Sequence, residues 1–224
     1  MDADYPPINR KVQVPDRPPT LLRRERLVGF LHSNINHKLV LVSAGAGYGK
    51  TSLLIDYAHD AELPVCWYSL DRGDRHVLTF IEYLVASIRR RFPTFGHSIL
   101  RILHDYIGPA EDIEPFVRLI LDEIQQTIDD YFVVILDDYQ EVLESEPVNA
   151  LVDGLLRYLP EHCHFIIASR AIPRRLTLTR LAAREEIVGM GVRQLKFTRD
   201  EIQQILSLRG MDNLEPEQLD ALAQ

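Results

Sequence analysis

Residues 39–54 read LVLVSAGAGYGKTSLL. Leu39, Val40, Leu41 and Val42 are apolar without polar alternation, the pattern of a strand buried on both faces of a parallel sheet. They run into a glycine-rich bend that ends at Gly49-Lys50-Thr51, and Leu53, Leu54, Tyr57 and Ala58 follow at helical spacing. A chain that reverses at the top of a buried strand points successive N–H groups inward, where they suit an anion. The next helix adds its unpaired N-terminal donors and the positive end of its dipole. Gly45, Ala46, Gly47, Tyr48, Gly49, Lys50, Thr51 and Ser52 are therefore the candidate phosphate seat. The general pattern is G-x-x-x-x-G-K-[ST]. Here Ala44 replaces its first glycine, while Gly45, Gly47 and Gly49 keep the backbone adaptable. Lys50 is expected to reach the β- and γ-phosphates, and Thr51 to offer its oxygen to Mg2+. The plain alternative is a glycine-rich turn with a solvated lysine.

Such a seat needs an acid to hold the metal. Residues 132–138, FVVILDD, place two aspartates at the end of an apolar strand, the sheet edge where open α/β folds bind ligands. Asp137, first off the strand, is the candidate for Mg2+. Asp138 points elsewhere because strand side chains alternate, and it is the candidate to orient or deprotonate an attacking water. The strand HFIIAS, 164–169, ends in Ser169 and is followed by Arg170. Arg170 at that edge is the candidate sensor of the γ-phosphate. The bland readings are solvated turn residues and a surface arginine.

Outward from these motifs, apolar spacing predicts helices over 21–34, 77–91, 97–105, 113–128 and 148–159, and strands over 39–43, 65–70, 131–138 and 164–169. A short fifth strand is expected at 195–197. Thr198 then caps a helix, with Glu201 completing a capping box. Strands alternating with helices predict an α/β three-layer sandwich with a mostly parallel sheet. Residues 1–20 hold five prolines and read as an extended arm. Residues 21–197 form the main domain, and 198–224 begin a small helical domain. EPEQLDALAQ, 215–224, stops inside an apparent helix, so a longer protein is expected.

The chain has 224 residues, of which 46% are hydrophobic, enough for a real core. A net charge of −8 argues against a general nucleic-acid surface. Cys66 and Cys163 lie in apolar runs and are expected to be buried thiols in a reducing cytoplasm. EHCH, 161–164, offers metal-ligand types, but strand alternation separates neighbouring side chains, so a core thiol at Cys163 is the preferred reading. MDADYPPINR at the start is not a secretory signal, and no membrane span is expected.

SAGAGYGKTSL, CWYSLDRGD, VVILDDYQ, IIASR and QLKFTRDEI occur in this order. Together, over about residues 20–210, they resemble the nucleotide-binding domain of MalT-like regulators. These belong to the signal-transduction ATPases with numerous domains (STAND). The resemblance implies a P-loop NTPase fold with strand order 2-3-4-1-5. It implies ATP or ADP and Mg2+ as cofactors, and slow ATP hydrolysis as a regulatory switch. Arg24 and Glu25 resemble the segment that lies near the adenine in that family, and Asp71 resembles its acidic residue closing the second strand. The resemblance further implies self-association of the full-length protein with ATP, and an inducer and DNA bound by domains outside these residues. The rival readings are a small-molecule kinase and a non-hydrolysing nucleotide-dependent interaction module. Phosphate release without an acceptor separates the switch from the kinase, and single-turnover hydrolysis separates it from the inert module.

Overall fold

The computed structural model describes residues 10–19, 21–106, 112–208 and 210. Five strands form the sheet: β1 Leu39–Ser43, β2 Val65–Ser69, β3 Phe132–Asp137, β4 Cys163–Ser169 and β5 Ile187–Met190. Their order is β2-β3-β4-β1-β5 and every pairing is parallel. This is the order implied by the resemblance, with the strand before Arg170 between the two motif strands.

Alternation along the strands divides the core in two. Val40, Val42, Trp67, Val133, Ile135, Ile166 and Ala168 face the layer built from α1 Glu25–Asn34 and α2 Lys50–Asp60. Leu39, Leu41, Tyr68, Val134, Leu136, Phe165 and Ile167 face the other layer. That layer comprises α3 Val77–Arg89, α4 His97–His104, α5 Glu114–Thr127 and α6 Glu146–Tyr158. Burial on both faces explains why the central strands show no polar alternation; β3 and β4 are buried throughout. Trp67, Cys66 and Cys163 are core residues, and burial pushes the Cys66 thiol up to about 12.

The fifth strand is not at 195–197. β5 is Ile187–Met190, registered on β1 from Leu39 opposite Ile187 to Val42 opposite Met190. It is an edge strand of four residues with partial burial, so its apolar pattern is weak. Residues 192–195 form a one-turn helix, α8 Val192–Leu195, which plants Leu195 in the core. The alternation of Leu195, Lys196 and Phe197 therefore comes from a core anchor and from a ring stacked under Arg24, 4.2 Å from its guanidinium. A short helix, α7 Leu178–Ala183, precedes β5. The predicted capping box at Thr198 is present and opens α9 Arg199–Leu208: Thr198 N–H donates to Glu201 at 2.9 Å, and Glu201 N–H to Thr198 Oγ1 at 3.2 Å.

Residues 10–19 lie along the body. Ser69 N–H donates to Lys11 O at 2.8 Å at the open edge of β2, and Arg17 pairs with buried Asp56. Residues 1–9, 20, 209 and 211–224 lie outside the described residues, as do the parts of the expected arm and helical domain that fall on them. Among the described residues no helix is long and apolar enough to cross a membrane.

Candidate functional site

The bend at 44–49 leads directly into α2, whose first residue is Lys50. Gly47 has φ 83° and Gly49 has φ 72°, left-handed conformations that a side chain disfavours. A Cβ at either glycine would meet nothing within 4 Å. Backbone conformation, and not crowding by the protein, therefore accounts for glycine at these two positions. The side above them is open to a ligand. Lys50 is buried at the base of the bend, and its Nζ donates to Ala44 O at 2.7 Å and Gly45 O at 2.8 Å. Burial lowers the Lys50 pKa, while Asp137 and Asp138 pull it back up.

Asp137 ends β3 on the face turned toward α2, in line with Val133 and Ile135. It is 2% exposed, and its Oδ1 has no hydrogen-bond partner among the described residues. Burial, then the neighbouring Asp138 charge, pushes its carboxyl up to about 6; the Thr51 hydroxyl beside it and the Lys50 charge offset part of that rise. An unsatisfied buried carboxylate is costly. A hard cation between Asp137 and Thr51 would relieve that cost with the oxygen donors such ions prefer. The residues thus fit Mg2+, and the open glycine bend above them fits a phosphate chain.

Asp138 is one of two non-glycine residues with positive φ among the described residues, at 57°. This left-handed step takes the chain off the strand, so the backbone turn, and not strand alternation, sets where Asp138 points. The Asp138 carboxylate accepts from Gln140 Nε2 at 2.7 Å, and Gln140 Oε1 accepts from Arg170 N–H at 3.0 Å. Arg170 is exposed at the end of β4, and its charge is felt at Lys50. The structure therefore brings together Lys50, Thr51, Asp137, Asp138 and Arg170, and adds Gln140. The motif DDYQ contained that residue, but no local pattern tells a bridging amide from a solvated one.

Arg24 and Glu25 part company. Arg24 is buried, donates to Lys196 O at 2.8 Å and Glu201 at 3.0 Å, and lies over the Phe197 ring. Glu25 is exposed and pairs with Arg23 at 2.7 Å. Asp71, whose task was open, caps the turn at 72–75 and pairs with Lys11 at 2.9 Å. It belongs to the clamp on residues 10–19.

Over 216 residues the chain is 32% identical to the HTH-type transcriptional regulator MalT of Cronobacter sakazakii, covering 96% of this chain and 23% of that protein. The chain is a MalT-like domain with the P-loop NTPase fold. It is also 32% identical over 213 residues to the HTH-type transcriptional regulator MalT of Yersinia pestis, covering 93% of this chain and 22% of that one. The MalT-like domain thus spans under a quarter of the length of either relative. A Walker-type ATPase of Pyrococcus abyssi shares the fold, with TM-score 0.55 and 14% identity over 96% of this chain and 66% of that one. No protein-family model matches the MalT-like chain.

Proposed function

We propose that the MalT-like domain binds ATP and ADP with Mg2+ and hydrolyses ATP slowly, as the switch of a transcriptional regulator. One observation carries this reading: a buried ammonium and a buried carboxylate, its Oδ1 lacking a partner among the described residues, flank a glycine bend whose open side faces out. Burial disfavours each charge by more than its protein partners offset, and a metal-bound polyphosphate would satisfy both.

Lys50 would leave the Ala44 and Gly45 carbonyls for phosphate oxygens. The N–H groups of Gly47 to Ser52 and the dipole of α2 would hold the remaining phosphate charge. Thr51 and Asp137 would hold Mg2+, which when bound neutralises charge on the terminal phosphates. Asp138 would accept a proton from the attacking water, and Arg170 would face the γ-phosphate. Arg24 and Glu25, at the start of α1, would lie on the adenine side, with Arg24 acting through its hold on residues 196–201. The expected output is conformational: a γ-phosphate beside Arg170 changes how this edge meets the helices after β5. Self-association with ATP, a cytoplasmic setting, and an inducer and DNA target bound by other domains are the corresponding proposals for the full-length regulator.

Calorimetry with ADP and ATP, with and without Mg2+, tests the seat. Lys50→Ala should weaken ATP binding at least tenfold, a loss of about 1.4 kcal/mol or more. If the variant binds as tightly as the parent, the loop assignment is wrong. Phosphate release under single-turnover conditions, without any acceptor, tests hydrolysis.

A further inference from the structure

Tyr139, Gln140 and Glu141 form a single turn after β3, and both neighbours of Gln140 are anchored. The Tyr139 ring is fully buried and its hydroxyl donates to Asn149 Oδ1 at 3.2 Å. Glu141 O accepts from Arg75 Nε at 2.7 Å, and Glu141 N–H closes the turn on Asp138 O at 3.0 Å. The Gln140 side chain is thereby directed across the sheet edge, from the end of β3 to the end of β4. There its two polar atoms meet different demands: a carboxylate that needs a donor and an N–H that needs an acceptor. Those partners fix the orientation of the amide. A glutamate could still accept from Arg170 N–H, but it would set a second negative charge against Asp138. An alanine would serve neither partner.

We propose that Gln140 is a positioning residue that couples Asp138 to Arg170, holding the water-facing carboxylate and the phosphate-facing turn in one arrangement. Its consequence for turnover rests on the ATPase reading above, whereas the coupling itself belongs to the nucleotide-free protein. Without the amide, the Asp138 carboxylate samples other staggered rotamers, and the Arg170 turn loses its anchor. Misplacing a reacting group by about an ångström costs on the order of a hundredfold in rate.

Gln140→Ala and Gln140→Glu separate the two halves of this coupling. Hydrogen exchange of the Arg170 amide in nucleotide-free protein should accelerate roughly tenfold in the alanine variant and stay near the parent rate in the glutamate variant, which keeps the acceptor. ADP affinity should be unchanged in both, because neither touches the loop. Single-turnover hydrolysis should fall about tenfold to a hundredfold in both, because both lose the donor to Asp138. Unchanged exchange at Arg170 in the alanine variant overturns the coupling whatever happens to turnover. Parental turnover in both variants overturns the positioning role. A parent that binds no ADP defeats the nucleotide-switch reading instead, and the exchange result still decides the coupling.

Discussion

Asp137→Asn should make the nucleotide-free protein more stable above neutral pH while strongly weakening its response to Mg2+ and nucleotide. The carboxyl has an ordinary value of 3.8 and is raised to about 6 by burial and by Asp138. The folded state therefore holds this proton more tightly than the unfolded chain. Stability from that difference is fully present below about pH 4 and is lost as pH rises through 6. The shift corresponds to about 3 kcal/mol at pH 8. An asparagine has no charge to desolvate, so the variant should recover roughly 1–3 kcal/mol there, the lower figure allowing for imperfect pairing of the amide. At pH 4 the two proteins should be nearly alike. Urea denaturation in a chelating buffer from pH 4 to 8 measures the gap directly, and subtraction cancels groups common to both proteins. Adding Mg2+ and ADP at about a hundred times Kd should stabilise the parent by about 2.7 kcal/mol and the variant far less. A variant no more stable than the parent at pH 8, or a gap that does not change with pH, refutes the account of Asp137 as a buried metal acid.

Three further outcomes follow from features outside the seat. Gly96 has φ 86° and a Cβ there would lie 2.2 Å from Val85 Cγ1, so Gly96→Ala should cost roughly 2–4 kcal/mol by strain and overpacking without altering ADP affinity. Glu201 accepts from Arg24 at 3.0 Å and from Arg26 Nε at 2.9 Å. Glu201→Ala strands a buried arginine and should cost on the order of 3 kcal/mol, read by denaturation and by faster tryptic cleavage within α9. His164 is buried and its pKa is pushed below 6.5 by that burial. Its contribution is present above pH 6.5 and lost on acidification, so His164→Phe should flatten the fall in stability between pH 7 and 5 in thermal melts.

The strands at 39–43 and 132–137 and the seat between them were legible because their chemistry is local. An uninterrupted apolar run states burial on both faces, and a glycine bend before a lysine at a helix start names a candidate anion seat without reference to distant residues. The capping box at Thr198 and Glu201 was legible for the same reason. β5 was not, since a half-buried edge strand of four residues has almost no pattern of its own and is defined by its hydrogen bonds to β1. Gln140 was equally hidden: in the sequence, an amide in a turn looks alike whether it bridges two functional groups or faces water. The order of strands came from likeness to a family, and the packing of both core layers is its physical counterpart. Sequence alone thus determined which groups could hold a phosphate and a metal, because side-chain type and helical or strand period are written residue by residue. Tertiary structure alone decided that Asp137 is buried against Thr51, that Arg24 is spent on Glu201 and Phe197, and that Asp138 and Arg170 share one amide, because each of those facts depends on groups far apart in the chain meeting in space.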